Sequence, residues 1–361
     1  MSADSTWDVT DLERYELASD WYLTMYGALT LALLRNHGQD EVADLEGLLF
    51  ARYQSTHFLP ALEKLGLLNE PTDAIRCAKY HYFGNSLGGI DMEYVEETPS
   101  KVWIRYMPPC FSYDHKTRPS AGIAALGNGY GEAPMRNWHA NNGKLLGNPR
   151  LGFVMTQVQA DGDPWDGGYF MEYDHDLTPE ETFKRTRGDW GPKFDPAKAP
   201  ALPHETWPAE RRAGAMRNYA INYAALKMSL LVERLGVDDA TAVVRHALSV
   251  MFYQRFQWLP EVLDVPDPSS PLDAARLIAR LGASTDDDIE IEATDAGRAL
   301  VHLRATRFHK LFPDMPPALE EAMATSWMSA FRLYNRDLRL EVVKPLAGSD
   351  GPGLWELFTE S

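Results

Sequence analysis

The sequence predicts an α+β protein of two tandem related domains, and three observations carry this prediction. The same order of elements occurs twice: a helix pair, an antiparallel hairpin, a helix and a second hairpin, which predicts a pseudo-twofold pair. A motif of Tyr-Gln, three residues, an aromatic residue and Leu-Pro occurs in both copies, in "RYQSTHFLPALEKLG" (52–66) and "FYQRFQWLPEVLDV" (252–265). A Pro-rich stretch with little periodicity lies between them, as in a semi-extended linker. We therefore expect a first repeat at 18–175, a linker at 176–215 and a second, degenerate repeat at 216–361.

The first helix of each repeat is amphipathic. The segment "WYLTMYGALTLALLRNHG" (21–38) aligns with "YAINYAALKMSLLVERLG" (219–236), and its apolar residues recur at helical spacing. Both segments end at a glycine, Gly38 or Gly236, which suits a left-handed helix cap.

Hairpins follow the helices in both repeats. The segment "IDMEYVEETPSKVWIRY" (90–106) aligns without a gap on "IEIEATDAGRALVHLRA" (289–305), which puts Glu93 on Glu292 and Arg105 on Arg304. Apolar and polar residues alternate in both, as in strands with one buried face. A helix is expected next in each repeat, at about 133–146 and 317–333, before a second hairpin with glycine and aspartate in its turn.

Composition limits the classes of partner. The formal net charge of −17 disfavours nucleic acid and anionic membranes. No apolar run of about 18 residues is present, so we expect no membrane span. Two cysteines cannot make a disulfide framework, which fits a reducing compartment. We expect a cytoplasmic protein with a small-molecule substrate, and leave a homo-oligomer open.

The first repeat has a long connection where the second has only "TRFHKLFPDMPP" (306–317). Loops longer than about 12 residues without periodicity often carry function. This connection, at 107–147, is rich in reactive and polar side chains, whereas the second repeat has His309 at the place of Cys110. The first repeat is therefore expected to carry the site.

Within this connection Cys110 is the candidate nucleophile, because a thiolate attacks electrophilic carbon when a cation or base lowers its pKa. His139 or His115 would act as base, and Asp114 or Asn141 would orient that base. The alternatives are an inert buried thiol and, for His81, a core histidine. A metal site would need Cys110, His115, His139 and Asp114, but zinc spacings are absent, so no metal and no cofactor are expected. Candidate substrate contacts are Tyr113, Trp138, Asn141, Asn142 and His81.

A strand ending in Cys110 and an aromatic residue, then a helix, then "LGFVMTQVQADGDPWDGGYFMEY" (151–173), resembles the L-2-amino-thiazoline-4-carboxylic acid hydrolase-like family. The resemblance covers about 20–175, and a degraded form covers 217–360. It implies that Cys110 is the family's strand cysteine and that Gly162 and Asp163 form its Gly-Asp turn. Asp166 stands near the position where the family has a second cysteine, which leaves the substrate open.

These observations together predict a small-molecule hydrolase that acts on a C–N or related bond, with a cysteine and histidine site in the first repeat. The alternatives are a non-catalytic protein that binds a small ligand, and a lyase or isomerase that uses His139.

Overall fold

The computed structural model describes residues 7, 9–108, 128–295, 297–347 and 351–360. Its helices, in chain order, are α1 (Asp11–His37), α2 (Gln39–Lys64), α3 (Asp73–Leu87), α4 (Asn128–His139), α5 (Asn141–Leu146), α6 (Ala209–Leu235), α7 (Val237–Arg255), α8 (Leu259–Val262), α9 (Pro271–Ala283), α10 (Arg307–Leu311) and α11 (Pro317–Phe331). Its strands are β1 (Met92–Thr98), β2 (Lys101–Tyr106), β3 (Leu151–Gln157), β4 (Asp166–Glu172), β5 (Phe183–Arg185), β6 (Asp288–Asp295), β7 (Arg298–Ala305), β8 (Leu338–Lys344) and β9 (Gly353–Thr359). Short 3₁₀ helices occupy Gln159–Asp161 and Pro196–Lys198.

The chain is α+β, as predicted, and it divides into two compact units. Unit 1 joins Met1–Asn36 to Ala213–Ser361, and unit 2 is His37–Arg212. Helix α1 therefore groups with the second predicted repeat, although the sequence pattern assigns it to the first. Most of the Pro-rich stretch belongs to unit 2. None of the described helices combines the length and the hydropathy needed to cross a bilayer.

Unit 2 is a five-stranded sheet in the order β1-β2-β4-β3-β5, with α2 to α5 in the same unit. Thr72 caps the start of α3: its side chain accepts a hydrogen bond from the Ile75 amide and so satisfies a free helix donor. Neighbouring strands approach very closely at Gly168 in β4, where a Cβ atom would lie 1.9 Å from the Val154 carbonyl oxygen. Only glycine fits there.

One side of this sheet is covered by the segment that follows β5. The guanidinium of Arg105 forms an ion pair with Glu93 at 2.6 Å and donates to the carbonyl oxygens of Trp190 and Pro192 at 3.0 and 2.6 Å. Gly191 has φ +64° and lies on the indole of Trp103, where a Cβ atom would be 2.7 Å from the ring. Residues 190–192 therefore pack against the sheet and are more than a spacer.

Unit 1 has a four-stranded sheet in the order β6-β7-β9-β8, with α1 and α6 to α11 in the same unit. Helix α9 begins with Ser270, which caps the Asp273 amide, and proline follows at its first position. Helices α1 and α6 run in the same direction: Tyr26 packs edge-on against Tyr223 at 5.8 Å between ring centroids, and Lys227 donates to Thr30.

The two units share the strand order of their four antiparallel strands, β1-β2-β4-β3 and β6-β7-β9-β8. Two details of the repeat differ between the sequence prediction and the structure. Glu93 pairs with Arg105 as aligned, but Glu292 pairs with Leu300, so the gapless hairpin alignment is wrong. The helix expected at 133–146 is divided into α4 and α5. Gly38 and Gly236 both have positive φ, at 86° and 81°, but their ψ values of 178° and 170° lie outside the left-handed helical region, so the predicted left-handed cap is wrong. Both conformations still favour glycine.

Candidate functional site

A cavity of about 90 Å³ lies in unit 1, between the helices and the sheet. Aromatic and aliphatic side chains make most of its wall, and a few polar groups complete it. Such a composition is typical of small-molecule sites. The lining residues come from α1, α7, α9 to α11 and the sheet; the polar or titratable ones are Tyr22, Asp287, Thr306, His309 and Glu320.

Glu320 is the most deeply buried of these groups, with no exposed surface. Helix α11 presents it on the same face as Met323 and Trp327, which also line the cavity. Its carboxylate accepts hydrogen bonds from the amides of Leu346 and Ala347 at 3.1 and 2.9 Å. The indole Nε1 of Trp355 donates to it at 2.8 Å.

Burial acts to raise the pKa of Glu320, but the interaction with His309 and the three donors outweighs it. The pKa is therefore held below its usual range, and Glu320 is an anion at neutral pH. The same contacts fix the turn between β8 and β9 on α11.

His309 lies between Glu320 and Thr306. Its Nδ1 is 2.6 Å from the Thr306 hydroxyl oxygen, and its Nε2 is 3.4 Å from Glu320 Oε2. The 3.4 Å separation is long for a hydrogen bond, and Nε2 makes none of good geometry. Thr306 also caps α10, because its hydroxyl oxygen accepts from the His309 amide at 3.2 Å. When the hydroxyl donates to Nδ1, the ring proton lies on Nε2 and faces the carboxylate.

Asp287 is the second carboxyl group of the cavity wall, just before β6. Burial raises its pKa to about 6, although hydrogen bonds from the Arg307 amide and the Thr285 hydroxyl act to lower it. The amide of Arg307 donates to Oδ1 at 2.6 Å. Two carboxyl groups around one histidine thus have pKa values displaced in opposite directions, a pattern that is common where acid and base roles are divided.

Several of the predicted site residues meet in a different place, the interior of unit 2. The Nδ2 of Asn142 is 2.8 Å from Nε2 of His81, and the side-chain amide of Gln54 donates to Asn142 and, at 2.6 Å, to the carbonyl of Trp138. The rings of His81 and His139 are 4.2 Å apart. All five residues are buried.

His139 belongs to a second chain of hydrogen bonds in the same interior. Its Nε2 is 2.9 Å from the Tyr106 hydroxyl, and its Nδ1 is 3.2 Å from the Met135 carbonyl. Asn85 donates to Tyr106 at 3.3 Å. Burial lowers the pKa of His139 to about 3 and that of His81 well below its usual value, so both rings are neutral at pH 7. These contacts describe a neutral polar network, and its part in chemistry stays a prediction.

Asn141, another predicted site residue, does not join this network. Its side-chain amide donates to the carbonyl of Asn137, four residues earlier in α4, at 2.5 Å. The candidates Cys110, Tyr113, Asp114 and His115 lie outside the described residues, so their assignment stays a prediction.

Glu320, Asp287, Thr306 and His309 were not predicted as site residues. Glu320 carries a readable signal, because a carboxylate three and seven residues before Met323 and Trp327 lies on an apolar helix face. The spacing of Thr306 and His309 is also readable as a helix cap. The sequence does not show that one cavity brings these residues together.

Comparison with models of protein families, with curated proteins and with solved structures finds no match.

Proposed function

We propose that this chain is a small-molecule hydrolase whose reaction takes place in the cavity of unit 1, with Thr306 as nucleophile. The observation that supports this proposal is the order carboxylate, imidazole, hydroxyl along Glu320, His309 and Thr306 in the wall of one cavity. Acyl-transfer enzymes on unrelated folds also have a nucleophile within hydrogen-bond reach of a base and a carboxylate on the far side of that base.

The reaction would proceed in two halves on an ester or amide. Thr306 Oγ1 attacks the acyl carbon, its proton moves to His309 Nδ1, and the imidazolium then protonates the departing alcohol or amine. Water next attacks the acyl-threonine ester with His309 as base, which releases the carboxylic acid and restores the hydroxyl. Glu320 Oε2 stabilises the imidazolium through Nε2 in both halves.

A comparison within the chain favours a role for His309 beyond helix capping. Thr72 caps α3 in the same way as Thr306 caps α10, and its third helical residue is Ile75. A threonine cap in this protein therefore needs no histidine. The imidazole in the second case adds a base where the cavity has its polar wall.

Hydrolysis of p-nitrophenyl acetate tests the proposal. Thr306→Ala and His309→Asn should each lower kcat/KM by about a hundredfold or more, in line with the loss of a nucleophile or its base. A trapped acetyl group should be found on the peptide that contains Thr306.

Two variants serve as matched controls. Thr72→Ala removes an equivalent cap, and His302→Asn removes a histidine that lies 3.3 Å from Glu292 with 30 % of its side chain exposed. Both should hydrolyse the ester at the wild-type rate. Equal rates in wild type, Thr306→Ala and His309→Asn would refute the proposal.

A non-catalytic protein that binds a small ligand is the second candidate function, because the cavity wall is mainly apolar. A small molecule that binds to the cavity residues without being chemically converted would identify this function. The hydrolase with Cys110 as nucleophile also stays a proposal. His139 would be the base in that hydrolase, if His115 is not, and in a lyase or isomerase. An imidazole with a pKa of about 3 is a weak base at pH 7, so a role for His139 as base has less support than the site in unit 1.

A further inference from the structure

We infer, on the basis of the proposed hydrolase, that the cavity of unit 1 takes a short, uncharged acyl group and rejects long and anionic ones. The size of the cavity, the packing of its wall and the charges that face it support this substrate class.

The size of the cavity limits the acyl group. Its volume of about 90 Å³ is well below the ~150 Å³ of a cavity that admits benzene. An acetyl or propionyl group is small enough for such a space. The leaving group would lie toward His309, whose side chain is 15 % exposed while Glu320 is fully buried.

The wall is held in place by packing between its own rings. Trp21 stacks on Trp327 with ring centroids 6.1 Å apart, and Phe252 meets Trp21 and Trp327 edge-on at 4.9 and 4.7 Å. These three side chains are buried. Widening the cavity for a longer chain would break several ring contacts at once, because interiors are close-packed.

The charges of the wall oppose an anion. Glu320 and Asp287 are its carboxyl groups, and no lysine or arginine is found among the described residues that line the cavity. An anionic acyl chain would lose its hydration without gaining a cation. An uncharged chain meets apolar rings instead.

Two substitutions alter the space with little disturbance elsewhere. A Cβ atom on Gly282 would lie 2.5 Å from Cδ1 of Ile289, the flexible end of another cavity side chain, so Gly282→Ala should narrow the cavity. Gly84→Ala is its control, because a Cβ atom at this helical glycine meets nothing within 4 Å. Met323→Ala should enlarge the cavity, with Met328→Ala, a methionine outside the lining set, as control.

The first experiment measures kcat/KM for p-nitrophenyl acetate, butyrate, hexanoate and mono-succinate at pH 8. We expect wild type to prefer acetate over hexanoate, and butyrate over mono-succinate, by about tenfold or more in each case. Met323→Ala should raise the ratio of butyrate to acetate by about fivefold, and Met328→Ala should not. Equal rates for acetate and hexanoate, or for butyrate and mono-succinate, would overturn the inference while leaving the hydrolase in place.

The second experiment measures binding without chemistry, by ligand-observed NMR with acetamide, hexanamide and acetate ion. Binding of acetamide alone, lost in Gly282→Ala and kept in Gly84→Ala, supports the inference even if no ester is hydrolysed, in which case only the proposed function fails. Binding of hexanamide or acetate equal to that of acetamide, or no loss in Gly282→Ala, overturns the inference.

Discussion

Protonation of His139 should destabilise the protein as the pH falls below about 6.5, and His139→Gln should remove this part of the pH dependence. The imidazole is 1 % exposed, and both of its nitrogens are occupied, by the Tyr106 hydroxyl and the Met135 carbonyl. Burial lowers the pKa of His139 in the folded state to about 3. In the unfolded chain the pKa of a histidine is about 6.5.

The sign and size of the change in stability follow from these two pKa values. Between pH 6.5 and 3 the unfolded chain binds a proton that the folded state does not bind, so the free energy of unfolding falls as the pH falls. The contribution is fully present above about pH 6.5 and loses about 1.4 kcal/mol per pH unit below it. From pH 8 to pH 5 the loss is about 2 kcal/mol. The lowered pKa of His81 acts with the same sign.

Urea denaturation followed by circular dichroism at pH 8, 6.5 and 5 measures this loss. His139→Gln keeps an acceptor for Tyr106 but cannot take up the proton. Its stability should therefore fall less than that of wild type, by about 2 kcal/mol over this range. His204→Gln, which replaces an exposed histidine, is the control for the loss of an imidazole. Equal losses of stability in wild type and His139→Gln would refute the reasoning.

Three further substitutions test the sheet of unit 2. Gly168→Ala should destabilise the protein by about 3 kcal/mol or more, because its Cβ atom would lie 1.9 Å from the Val154 carbonyl oxygen; an unchanged urea midpoint would contradict this. Gly191→Ala should cost about 1–3 kcal/mol, because of its positive φ and the Trp103 ring, and should speed proteolysis within residues 186–199. Arg105→Met should lower the free energy of unfolding by about 3 kcal/mol in the same denaturation assay, because it leaves the Glu93 carboxylate and two carbonyl groups without their donor. It should also release residues 186–199 from the sheet and speed their cleavage. An unaltered cleavage rate would argue against the contact between Arg105 and this segment.

The order of elements could be predicted from the sequence, but the register of the second hairpin could not. The gapless alignment predicts that Glu292 faces Arg304, whereas its partner is Leu300. The difference is four residues along the strand. Because side chains alternate with a period of two, an even shift leaves the same residues on the buried face and is invisible in the hydrophobic pattern.

The candidate cavity was predictable only in its local parts. The cap formed by Thr306 and the acidic residue on the apolar face of α11 are both visible in the sequence. Besides His309, the groups that hold the pKa of Glu320 low belong to Leu346, Ala347 and Trp355, which follow it by 26 to 35 positions. No periodicity indicates which turn folds onto which helix, so the sequence favours the longer connection of the first repeat as the site.

Helix α1 leaves the ribosome long before the residues that cover it in unit 1. Its Trp21 packs on Phe252 and Trp327, and its Tyr26 packs on Tyr223. All of unit 2 is synthesised between α1 and these partners. At about 5–20 residues per second this delay is on the order of ten to thirty seconds. During that time unit 2, which is continuous in sequence, can fold, whereas α1 has not yet met the residues of unit 1 that cover it. Translation speed and chaperone supply should therefore affect the yield of unit 1 more than that of unit 2.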